Sequence, residues 1–179
     1  MEILMILLLS ASLHPNSRSR ILATECENLL IEKGRAATVF DLSMTPLPLC
    51  DGATAYGHED VQRLAGLVAE ADAILVASPI YNYDVNAAAK NAIELTGKNW
   101  TGKIVGLMLA AGGQGSFMAP MGLANSLMLD FRCLIVPRFV YATGDAFEND
   151  QISDEIVQMR VAQLVEDTLR LADALSDAA

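Results

Sequence analysis

The sequence predicts an α/β fold, a five-stranded parallel sheet of order 2-1-3-4-5 between two layers of helices. Three observations predict it. Five short, nearly continuous apolar runs punctuate the 179 residues. Runs without polar alternation are what strands buried on both faces need. Helical spacing separates each run from the next, and right-handed crossovers then leave few topologies. Finally, the segments that such a sheet places at its carboxyl edge are all unusual. Ligands of doubly wound sheets bind at that edge, at the switch point between strands 1 and 3.

The elements follow in order. Residues 2–9 read as the first strand, through Ile3-Leu4-Met5-Ile6-Leu7-Leu8-Leu9. Residues 17–33 have helical spacing, and Gly34 ends the helix. Ala37 to Leu42, rich in β-branched residues, is the second strand. A long connection, 43–57, carries Pro46, Pro48, Gly52 and Gly57. Residues 59–70 put Val61, Leu64, Leu67 and Val68 on one helical face. Ala73 to Ala77 is the third strand, 86–95 a helix, and 103–110 the fourth strand. A glycine loop, 112–115, precedes a helix over 117–130. The fifth strand starts at Cys133 and runs to Val136 or on past Pro137 to Tyr141. An amphipathic helix over 152–175 closes the chain. Residues 1–179 are expected to form one domain.

Composition bounds the function. Apolar residues make up 53% of the chain, enough for a packed core. The net charge is −10. That argues against nucleic acid and anionic membrane as partners. A local loop field still outweighs distant charge screened over about 10 Å, so an anionic ligand is allowed. Cys26, Cys50 and Cys133 are scattered, and His14 and His58 lie far apart, so no metal site is expected. The first apolar run lacks a preceding Lys or Arg and is too short to span a bilayer. The expected location is the cytoplasm.

Three loops carry the chemistry. After the first strand stands Ser10-Ala11-Ser12-Leu13-His14-Pro15-Asn16-Ser17-Arg18-Ser19. Strand, Ser-rich loop and helix N-terminus together make an anion site, with unpaired N–H groups and a favourable dipole. Ser12, Ser17 and Ser19 add hydroxyls and Arg18 a charged fork. After the third strand comes Ser78-Pro79-Ile80-Tyr81-Asn82-Tyr83-Asp84, whose backbone can face the edge of a flat ring. After the fourth comes Ala111-Gly112-Gly113-Gln114-Gly115-Ser116, where glycine permits close approach and positive φ.

On these residues the chain resembles the NADPH-dependent FMN reductases of the flavodoxin-like fold. The resemblance rests on Ser12-x4-Ser17-Arg18-Ser19, on Ser78-Pro79-Ile80-Tyr81-Asn82, and on Lys90-Asn91-Ala92-Ile93-Glu94; it spans about residues 3–142. It implies that Ser12, Ser17, Arg18 and Ser19 hold the FMN phosphate. It implies Pro79, Ile80, Tyr81 and Asn82 beside the isoalloxazine ring, and Gly112, Gly113, Gln114, Gly115 and Ser116 at its pyrimidine side. NADPH or NADH would reduce a small acceptor by hydride transfer through the flavin, with no catalytic side chain needed. Free flavin, quinones, azo or nitro compounds and metal oxyanions are all open as acceptors. Three positions depart from the family's pattern: His14 where many members have Arg, Ile80 where many have Glu, and Asn86 near a common Pro.

Two alternatives stay open. The same fold and an acidic surface suit a flavodoxin-type electron carrier. Ser12 to Ser19 also matches the C-x5-R-S loop of low-molecular-weight tyrosine phosphatases, with Ser in place of the nucleophilic Cys. Finally, Phe117 to Leu129 is apolar almost all round, with only Asn125 and Ser126 to offer water. An outer helix of this kind predicts a homodimer or homotetramer.

Overall fold

The computed structural model describes residues 4–176. Nine strands and five helices follow one another: β1 (Ile6–Ser10), α1 (Arg18–Glu32), β2 (Ala37–Asp41), α2 (Glu59–Glu70), β3 (Ala73–Tyr81), β4 (Asp84–Val85), α3 (Ala87–Thr96), β5 (Ile104–Ala110), α4 (Pro120–Phe131), β6 (Leu134–Ile135), β7 (Val140–Ala142), β8 (Phe147–Glu148), β9 (Gln151–Ile152) and α5 (Glu155–Ser176). The main sheet runs β2-β1-β3-β5-β6, parallel throughout. Its five positions are those expected, in the expected order. The chain therefore has the flavodoxin-like α/β fold.

Alternation along the strands sorts side chains to the two faces. Leu7, Leu9, Ile74, Val76, Val105 and Leu107 pack beneath α2, α3 and α4. Ile6, Leu8, Leu75 and Met108 pack against α1 and α5. A Cβ on Gly106 would collide with Leu75 Cδ2 on the neighbouring strand β3 and lie 3.2 Å from Leu164 Cδ1 of α5, so glycine lets these two side chains close over β5. No helix among the described residues is long and apolar enough to cross a membrane.

Four differences from the sequence reading have physical causes. The first strand begins at Ile6, not residue 2; residues 1–3 lie outside the described residues. The third strand does not stop at Ala77. It continues through Ser78-Pro79-Ile80-Tyr81, in register with β5 up to Pro79↔Ala110. It then turns into β4 through Asn82 and Tyr83, both at positive φ (52° and 67°). That is the backbone of a tight two-residue hairpin turn, so the segment expected as a loop is a strand end. The fifth strand is divided: β6 pairs the start of β5 and β7 its end, and Pro137 falls in the gap. Lastly, β8 and β9 form a small antiparallel hairpin ahead of α5, where helix was expected from residue 152.

Candidate functional site at the carboxyl edge

The loop between β1 and α1 is shaped by local bonds. Ser12 is buried, and its Oγ accepts the His14 N–H (3.2 Å), which leaves the hydroxyl proton free. His14 Nδ1 in turn accepts the Asn16 N–H (3.1 Å). Ser17 precedes the first turn of α1 but does not cap it with its side chain. Its Oγ pairs instead with Ser19 Oγ (2.8 Å). The Arg20 and Ile21 N–H groups reach the Ser17 carbonyl. The Arg18 and Ser19 N–H groups have no acceptor among the described residues, so two donors at the positive end of the helix stay open.

These residues line one hollow. Ser12, His14, Asn16, Ser17, Arg18, Ser19, Pro79, Ile80, Tyr81, Ala110, Ala111 and Gly112 enclose about 350 Å³. The strand ends of β1, β3 and β5 thus converge, as the switch-point rule requires. Asn82, Gly113, Gln114, Gly115 and Ser116 do not line this hollow. Asn82 occupies the hairpin turn, and Gln114 lines an adjacent hollow of about 250 Å³ with Phe117, Tyr141 and Asp145. A larger hollow, about 920 Å³ between α3 and α4, lies away from the Ser/Arg loop. The chemistry of the donor set, not the volume, makes the smaller one the candidate site.

The glycine loop departs from expectation in one respect. None of Gly112, Gly113 and Gly115 adopts positive φ. A Cβ on any of them would meet nothing within 4 Å. Neither backbone nor packing within the chain demands glycine there, so the bare backbone faces open space. Tyr141 OH donates to the Gly113 carbonyl (2.6 Å) and fixes the loop. Burial pushes the Tyr141 phenol up, against Ser116 hydrogen bonding that pulls it down.

Ser10 Oγ at the end of β1 is a buried hydroxyl without a partner among the described residues. Open helix N–H groups, spare hydroxyls, Arg18 and bare glycine backbone together fit a phosphorylated ligand with a flat, polar-edged ring. Thiolate chemistry has no seat here. Burial, reinforced by Glu25 and Glu27, pushes the Cys26 thiol up to about 12, and burial pushes Cys133 up to about 11.

The motif reading missed two supports. Arg20 ties the loop to β2: Nη1 donates to the Pro15 carbonyl (2.7 Å), Nε to Asp41 Oδ2 (2.7 Å), and Nη2 to Ser43 Oγ (2.5 Å). Burial pushes the Asp41 carboxyl up, but hydrogen bonds from Arg20 and Ser43 outweigh it and hold the carboxyl below its ordinary range. Asn86 joins the ends of β1 and β3. Its Nδ2 donates to the Ala11 carbonyl (2.7 Å), and its Oδ1 accepts from Ser78 Oγ (3.0 Å) and the Ala89 N–H (3.2 Å). The Asn86 that stood near the family's Pro is thus both the cap of α3 and a tether for the anion loop. Asparagine just before an apolar helical run was the only local signal for it.

Comparison with known proteins adds to this geometry. The family model for NADPH-dependent FMN reductase matches residues 4–148. An NAD(P)H-dependent FAD/FMN reductase of Geobacillus thermodenitrificans (strain NG80-2) is 28% identical over 146 residues, covering 77% of this chain and 79% of that protein. Among solved structures, the apo form of an NADH:FMN oxidoreductase (EmoB) superposes with a TM-score of 0.79 at 15% identity, over 93% of this chain and 89% of that one. FerB, a flavoenzyme NAD(P)H:(acceptor) oxidoreductase from Paracoccus denitrificans, gives 0.73 at 22% identity, over 94% and 98%. At such identities the structures speak for the fold.

Proposed function

The chain belongs to the NADPH-dependent FMN reductase family, and on that premise we propose that the 350 Å³ hollow holds FMN and that the enzyme passes electrons from NADPH or NADH to a small acceptor. Quinones, azo or nitro compounds, free flavin and metal oxyanions are the candidate acceptor classes. The observation that carries the reading is the convergence of the Ser/Arg loop, the end of β3, and the end of β5 through Gly112 on one hollow.

When bound, FMN supplies two-electron hydride exchange, first with a nicotinamide and then with the acceptor. The chain's part is to hold and orient. In this proposal Ser12, Ser17, Ser19 and Arg18, with the open N–H groups of α1, take the phosphate. Pro79, Ile80 and Tyr81 support the ring from the β3 end, and the turn residue Asn82 borders it. Residues 112–116 offer backbone N–H groups to the pyrimidine side, where donors stabilise developing negative charge. Tyr141 keeps that loop in place through the Gly113 carbonyl. Nothing in this assignment covers the opposite face of the ring, so nicotinamide and acceptor take turns there.

The test is anaerobic. NADPH or NADH added to the FMN-loaded protein is expected to bleach the visible flavin absorption, and initial rates are expected to follow ping-pong kinetics. Failure of both nucleotides to bleach it would reassign the protein as an electron carrier.

We also propose that the protein works as a homodimer or homotetramer through the α4 face. Leu123, Ala124 and Leu127 turn inward, but Leu129 is 82% exposed, and Phe117, Met118, Met121 and Met128 are exposed as well. Leu123, Leu129 and Phe131 line the 920 Å³ hollow beside them. Adaptable methionines and an open apolar hollow suit a self-complementary contact. Light scattering is expected to give at least twice the 19.2 kDa of one chain. A mass of one chain at micromolar concentration would overturn the proposal.

A further inference from the structure

The loop after β7, Thr143 to Ala146, belongs to none of the motifs above, yet it touches the site. Gly144 is not at positive φ, so its backbone gives no reason for glycine. Packing gives one. A Cβ on Gly144 would lie 2.6 Å from Arg18 Nη1, 3.0 Å from Cζ and 3.2 Å from Nη2. All three atoms belong to the flat end of one side chain. The guanidinium of Arg18 is laid across the bare Cα of Gly144.

Arg18 is otherwise uncommitted. It forms no ion pair among the described residues. The acid next to its seat, Asp145, makes no ion pair with it among the described residues. Its carboxylate accepts from Thr143 Oγ1, and that bond holds it below the ordinary carboxylate range. In a chain of net charge −10, an unpaired arginine lining a hollow is a cation kept for an anion.

We propose that Gly144 is a positioning residue for phosphate recognition: its missing side chain seats the Arg18 guanidinium so that its fork lines the hollow. This rests on the reading that Arg18 meets the FMN phosphate. A methyl at position 144 would push the guanidinium off its seat. The charge would remain, but the aligned hydrogen bonds that make an arginine fork selective would be lost. The first thing to give way is Arg18 and not the loop, because the three nearest atoms in the way are the end of a flexible side chain.

The test is a titration of apo protein with FMN and with riboflavin, which lacks the phosphate, followed by flavin fluorescence. Gly144→Ala is expected to weaken FMN on the order of tenfold, to leave riboflavin unchanged, and to leave the melting temperature unchanged. In an Arg18→Ala background the same change is expected to do nothing further, because its route is gone. With Arg18→Lys, whose ammonium needs no flat seat, Gly144→Ala is expected to have little effect. If Arg18→Ala discriminates against FMN while Gly144→Ala does not, the seating role is wrong. Equal losses from Gly144→Ala with and without Arg18 overturn it too, since the change would then act through the loop. If Arg18→Ala weakens FMN and riboflavin alike, the phosphate is not at Arg18, and the role of Gly144 falls with that reading.

Discussion

Asn86→Ala is expected to lower stability by about 3 kcal/mol and to weaken FMN binding in the fraction that stays folded. The side chain is buried and all its bonds are internal. Removing it strands the Ala11 carbonyl, at roughly 1–3 kcal/mol for a buried group left unpaired, and takes one of two acceptors from the Ala89 N–H, which keeps the Asn86 carbonyl (3.1 Å). The loss includes the N-cap of α3, worth about 1 kcal/mol alone. At about 2–4 °C per kcal/mol for a domain of this size, the melting temperature should drop by about 10 °C. FMN should suffer because Ala11 directly precedes Ser12 in the anion loop. Asn86→Asp separates the two roles. It keeps the acceptor for the Ala89 N–H but sets an oxygen against the Ala11 carbonyl, so the cap survives and the tether does not. An Asn86→Ala protein that melts within a degree of the wild type would show that these bonds contribute nothing.

Trp100→Ala should cost as much or more, yet spare the site. Trp100 is fully buried in the layer beneath α2, α3 and α4. Its Nε1 donates to Thr96 Oγ1 (2.7 Å), and its carbonyl accepts from Cys133 Sγ (3.1 Å). Truncating a buried aromatic costs about 3–5 kcal/mol through lost contacts and the cavity left behind. The indole lies just ahead of the first residue of β5, and the site lies past the last. Seven residues of strand put about 20 Å between them. Melting temperature should therefore fall steeply while the FMN affinity of folded protein holds. Trp100→Phe should recover most of the loss, less one hydrogen bond. A fall in FMN affinity matching that of Asn86→Ala would show that the two ends of the sheet are coupled.

The contrast between these two residues shows what the sequence could disclose. Strand and helix alternation was legible because each buried strand must be apolar on both faces, and β1, β3 and β5 are. The Ser/Arg loop at the start of α1 was legible because its hydroxyls, Arg18 and the helix start are contiguous. The sheet end at Ser78 to Tyr81 was misread as loop because Pro79 and Asn82 signal turns locally. Pairing of β3 with β5 up to Ala110 overrides that signal. The supports of the site stayed hidden for a different reason. Arg20 meets Asp41, Asn86 meets Ala11, and Gly144 meets Arg18. Each contact joins residues far apart in the chain, so no local motif contains both partners. The β8–β9 hairpin escaped because two-residue strands are too short to display a period.

Where β6 gives way to β7, the rim of the sheet is deliberately poor as a template. A neighbouring chain seeking to extend the sheet finds two residues of β6, then Val136 to Phe139, then three residues of β7. Within that gap Pro137 has no N–H to give, and Arg138 sits at a φ of 66°, out of line with any strand. An incoming segment would lose register after one or two bonds. An interrupted edge of this kind protects against runaway strand addition and fibril growth. At this rim the backbone offers a second copy little to zip onto, which leaves side-chain contacts of the helical layers as the favoured route of association.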